Sequence, residues 1–95
     1  MTADQEPGIG FADFIISLAR TAAVHFGDIE DPSLGERQEP NLPAAYQMIE
    51  LIAMLQQKTR GNLTAPEEQL VKDLLYDLRL RFVEARQGDR RIVEP

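Results

Sequence analysis

Residues 58–86 read KTRGNLTAPEEQLVKDLLYDLRLRFVEAR, and their punctuation decides the fold. Gly61 ends the helical pattern that precedes it. Thr64-Ala65-Pro66-Glu67 fits a capping box, in which a threonine caps the first free amides and a glutamate three residues on reaches back. From there apolar residues recur at helical spacing to about Arg86, where Gly88 is expected to stop the helix. Only Gly61 to Thr64 separate this helix from the one before it, which is room for little besides a tight reversal. Two helices so joined form an antiparallel hairpin.

Working outward, Asn41 reads as the N-cap of the preceding helix, with Pro43 tolerated in its first turn, over about 42–60. Upstream lies GDIEDPSLGERQEPN, residues 27–41, an acidic loop with two prolines and two glycines in which Asp31-Pro32-Ser33 suits a turn. Such length is uncommon for a loop without structure of its own. A further helical pattern covers about 9–26 and closes on Gly27, the residue suited to a left-handed cap. Residues 1–8 read as a disordered tail and 88–95 as a charged one. No strand-like alternation and no repeat interrupts this pattern. The expectation is an all-α domain of three helices over 9–87.

The chain has 95 residues, one small domain at most, and 43% of them are hydrophobic, ordinary for a folded protein. Its formal charge of −6 argues against coating nucleic acid or anionic lipid through bulk charge. Without cysteine it has no disulfide scaffold, thiolate nucleophile or cysteine metal site. Asp4 and Glu6, with no Lys or Arg nearby, are the reverse of an export signal. Phe11 to Phe26 contains Asp13 and Arg20 and falls short of the ~20 apolar residues that span a bilayer. A cytoplasmic protein without membrane contact is expected.

Several segments together resemble a small bacterial domain family of unknown function. They are Phe11-Ala12-Asp13-Phe14, Ser17-Leu18-Ala19, Val24-His25-Phe26-Gly27, Asn41-Leu42-Pro43, Met54-Leu55, Lys58 to Thr64, and Leu74 to Glu84. The likeness covers about residues 11–85, and Arg20 departs from it where a small polar residue is expected. It implies a coherent domain, and no activity, cofactor or catalytic residue.

Helical wheels carry the most information. In the first helix Phe11, Phe14, Ile15, Ile16, Leu18, Ala19, Ala22, Ala23 and Phe26 cover roughly 200°, against about 100° for a helix lying on one core. The second has one broad apolar face, yet Met54 sits among polar residues on the other. The third has two stripes. Leu70, Val71, Leu74, Leu75, Leu78 and Phe82 form the core face, and Tyr76, Leu80 and Val83 a second one at i, i+4 and i+7. Lys72, Arg79 and Arg86 border this second stripe on one edge, Asp73, Asp77 and Glu84 on the other. Two stripes need two packing surfaces, and contiguous exposed apolar surface marks an interface. The expected partner is a second copy of the chain in a two-fold dimer, or a helix of another protein. Tyr76, Leu80, Val83, Met54, Phe11, Phe14 and Ile15 are the candidate contact residues. Scattered surface hydrophobes are the plain alternative.

Catalytic chemistry finds little support. Ser17 and the sole histidine, His25, stand about 12 Å apart along a helix, too far for a nucleophile and its base. Neither a Glu-x-x-His motif nor a phosphate-binding glycine loop occurs. Asp73 and Asp77 have Lys72 and Arg81 at hand and read as solvated ion pairs. No catalytic residue, metal ligand or cofactor is expected. Arg79, Arg81, Arg86, Arg90 and Arg91 concentrate basic charge near the C-terminus and suggest a nucleic-acid-associated adaptor as the alternative function, though acidic residues are interleaved with them. The primary expectation is a non-enzymatic, homo-oligomerising helical interaction module.

Overall fold

The structure, a computed structural model, describes residues 9–93, with side chains as far as Gly88. The elements run α1 (Phe11–Phe26), β1 (Glu30–Asp31), β2 (Glu36–Arg37), α2 (Leu42–Lys58) and α3 (Ala65–Val93). The expected 1–8 tail lies outside the described residues.

Each helix starts and stops for a local reason. At α1 the Gly10 amide donates to the Asp13 carboxylate (3.3 Å). Its far end is a Schellman turn. Gly27, at φ +82°, donates to the Val24 carbonyl (2.9 Å), and Asp28 donates to that of Ala23 (3.0 Å). The Asn41 carboxamide accepts from the Ala44 amide (3.1 Å) and opens α2. At the start of α3 the capping box forms as expected, Thr64 N–H to Glu67 at 2.9 Å and Glu67 N–H to the Thr64 hydroxyl at 3.2 Å. The reversal between α2 and α3 passes through Gly61 at φ +86°.

Two expectations need correction. Residues 27–41 do carry strand structure: β1 and β2 pair antiparallel, Glu30 opposite Arg37 and Asp31 opposite Glu36. The fold is thus mainly helical with a small β-hairpin, not purely α. Turn chemistry builds the hairpin. The Asp31 carboxylate accepts from the Ser33 amide (2.9 Å) and hydroxyl (2.7 Å), its carbonyl accepts from Leu34 and Gly35, and Gly35 takes φ +74°. Strands of two residues are too short to show alternation. The second correction is at Gly88, where α3 does not stop but continues to Val93. Glycine inside a helix costs about 1 kcal/mol relative to alanine and does not forbid it, and no proline follows until Pro95.

The helices meet in one small core to which each gives three fully packed residues: Ile15, Ala22 and Phe26; Ala45, Ile49 and Ile52; Val71, Leu75 and Leu78. The spacings of 3, 4, 7 and 11 residues keep each trio on one helical face. α2 and α3 run antiparallel, with Tyr46 against Phe82 at one end (ring centroids 5.3 Å) and Gln56 beside Lys72 and Leu75 at the other. The Asn41 amide donates to the His25 carbonyl (2.7 Å), which closes the hairpin segment and holds the start of α2 beside the end of α1. No buried polar side chain is present among the described residues.

Candidate functional site

The core face of α3 turns Val71, Leu75 and Leu78 inward, which leaves the second apolar stripe in solvent. Tyr76 is 68% exposed, Leu80 48% and Val83 45%. All three, with Leu75, Arg79 and Gln56, line an open groove of about 580 Å³ along the α2–α3 seam. A second groove continues past Val83 and Arg79 to Tyr46, Glu50, Phe82 and Arg86. Sequence reading missed Tyr46. It is half exposed, and hydrogen bonding to Glu50 pushes its phenol pKa up. The i, i+4 spacing of Tyr46 and Glu50 on α2 was the available signal.

The remaining candidate contact residues do not join this groove. Ile15 is a core residue, 0% exposed, and so cannot serve a surface contact. Phe11 is half-buried and packs against the core. Phe14 and Met54 are exposed, but neither lines the groove. Ile15 went inward while its neighbour Phe14 stayed out, a choice that an apolar arc of roughly 200° leaves undetermined.

Charges around the stripe differ from expectation at both acidic positions, Asp77 and Asp73. Arg81 does not pair with Asp77 on its own helix. It reaches Asp28 in the loop after α1, with Nε to Oδ2 at 2.8 Å and Nη2 to Oδ1 at 2.7 Å. Its guanidinium also lies 5.2 Å from the centre of the Phe26 ring. The Asp28 carboxyl is held below its ordinary pKa by this hydrogen-bonded guanidinium, against a smaller opposing effect of burial. This is the only salt bridge among the described residues. Asp73 instead accepts from the Gln69 amide (2.9 Å). Arg86 lies 5.7 Å over the Phe82 ring, and the side chains of Arg90 and Arg91 fall outside the described residues.

Around His25 the polar edge of α1 assembles no reactive pair. The Thr21 hydroxyl donates back to the Ser17 carbonyl (3.1 Å), the ordinary resting place for a helical threonine. No cluster of three metal-ligating side chains occurs among the described residues, and no described helix is long and apolar enough to cross a membrane.

Residues 8–84 match the family described as Domain of unknown function (DUF1844). The chain belongs to that family. The match begins just before α1, takes in the β-hairpin and most of the α2–α3 seam, and ends one residue after Val83. The exposed stripe is therefore part of the DUF1844 domain itself, while the last turns of α3 extend beyond it. No curated protein and no solved structure matches the chain.

Proposed function

We propose that this DUF1844 chain is a non-enzymatic helical interaction module that associates with itself through the outer face of α3. One observation carries the reading: Tyr76, Leu80 and Val83 stand in a row, about half or more exposed, on a helix whose opposite side already fills the core. Full burial of one large apolar side chain is worth roughly 1.5–3 kcal/mol. Because Tyr76, Leu80 and Val83 are already one-third to just over one-half covered, burying what remains offers roughly 2–5 kcal/mol per copy, from which the cost of association is subtracted. A helix from another protein could use the same surface. The nucleic-acid alternative is less well supported, because Arg81 is engaged by Asp28 and withdrawn from the basic set.

Sedimentation velocity across micromolar concentrations tests this. Leu80→Glu is expected to shift the protein toward monomer with helicity unchanged, and Gln47→Glu, on an exposed part of α2, to leave association unaltered. A wild-type chain that stays monomeric throughout the range would end the proposal.

A further inference from the structure

The stripe on α3 has the spacing of a coiled-coil seam. Tyr76, Leu80 and Val83 occupy successive d, a and d positions of a heptad. In that register Lys72, Arg79 and Arg86 all fall on g, and Asp77 and Glu84 both fall on e. One flank of the seam is thus basic and the other acidic. Lys72, Asp77, Arg79 and Glu84 are exposed, and none of them forms a salt bridge with another described residue.

Symmetry turns this arrangement into a statement about orientation. When two identical helices pair antiparallel, the two-fold axis brings g against g and e against e, so basic flank would meet basic flank. When they pair parallel, each g faces the partner's e five residues further along. Lys72 then meets Asp77 of a second copy, and Arg79 meets Glu84, each pair occurring twice by symmetry. We infer that this surface takes a second copy of the same chain, with the two α3 helices parallel and in register about Leu80. The inference rests on the self-association proposed above and adds its geometry.

The ends of the seam are visible too. Toward the N-terminus the next a position is Asp73, already held by Gln69, and the next d is Gln69 itself. Toward the C-terminus the step after Arg79 would set Arg86 against Arg91, which ends the complementarity. A seam this short makes a weak, reversible dimer whose affinity depends visibly on its flanking charges.

Two experiments on the full chain test it. Arg79→Glu and Glu84→Arg, each alone, turn attractive pairs repulsive and are expected to weaken self-association about tenfold, while their equimolar mixture restores it as a heterodimer. That restoration also shows that both variants fold. Because the natural chain lacks cysteine, single substitutions report orientation directly. Gln69→Cys and Gln87→Cys lie about 27 Å apart along the helix. In a parallel dimer each is expected to form a disulfide with its own kind under mild oxidation. Cross-linking only in a mixture of the two means an antiparallel pair and overturns the inference, as does a dimer indifferent to Arg79→Glu. Both results leave self-association standing, whereas a wild-type chain that is monomeric in sedimentation removes both readings.

Discussion

Arg81 and Asp28 are separated by 53 residues in sequence, yet the guanidinium of one forms a two-pronged hydrogen-bonded pair with the carboxylate of the other. The contact ties the loop after α1 to the middle of α3. Phe26, a core residue two positions before Asp28, lies beneath the same guanidinium, so polar and apolar tethers act at one place. Both side chains remain about a third exposed, which limits what the ion pair can contribute.

Arg81→Ala is accordingly expected to cost about 1–2 kcal/mol, from the loss of a charge-assisted pair and of the stacking on Phe26. Asp28→Asn, which keeps the shape and removes the charge, is expected to cost less. Urea unfolding followed by circular dichroism measures both. In a double-mutant cycle the two losses should fall short of additivity, as they do for groups in direct contact.

Acid should expose the same pair. Arg81 lowers the Asp28 pKa in the folded state, so folding gains from this carboxylate at pH values above its unfolded pKa of about 3.9. The gain is lost as pH falls through the lowered folded value. Wild-type stability is expected to decline below about pH 4 more steeply than that of Asp28→Asn, which has no such proton to take up. Equal slopes in thermal unfolding at pH 2–5 would show that the pair contributes nothing.

Three glycines give graded outcomes. At Gly27 the backbone is left-handed, and an added Cβ would stand 2.9 Å from the Gln38 carbonyl oxygen, so Gly27→Ala suffers both strain and collision. Gly35 shares the left-handed conformation but has open space around it, so Gly35→Ala should cost only about 1 kcal/mol. Gly88 is helical and open, and Gly88→Ala should raise stability by about 0.5–1 kcal/mol. Melting temperatures should therefore rank Gly27→Ala lowest and Gly88→Ala above wild type.

Neighbouring positions on α1 should differ sharply. Ile15→Ala opens a cavity in the core and is expected to cost about 2–5 kcal/mol. Phe14→Ala removes a larger but 45% exposed side chain and should cost well under half as much. Chemical denaturation of both variants checks the assignment of inner and outer faces. Similar losses at the two sites would contradict it.

Much of this architecture is written locally. The caps at Asn41, Thr64 and Gly27, the turn at Asp31, and the two stripes of α3 depend on residues within about seven positions of one another. Backbone hydrogen bonding and helical periodicity act over that range, so the boundaries and the second stripe can be read from the chain. A two-residue strand gives periodicity nothing to work on, and Gly88 carries only a modest helix penalty, so neither the hairpin nor the length of α3 could be read the same way.

What tertiary packing alone decided is which apolar side chains went inside and which cation met which anion. The wide apolar arc of α1 offers several equally greasy faces, and only the positions of α2 and α3 select Ile15 over Phe14. Arg81 has Asp77 four residues away on its own helix, and chooses Asp28 because folding delivers that carboxylate with better geometry beside an aromatic ring. Both choices depend on distances between segments remote in sequence, and those distances exist only once the three helices have come together.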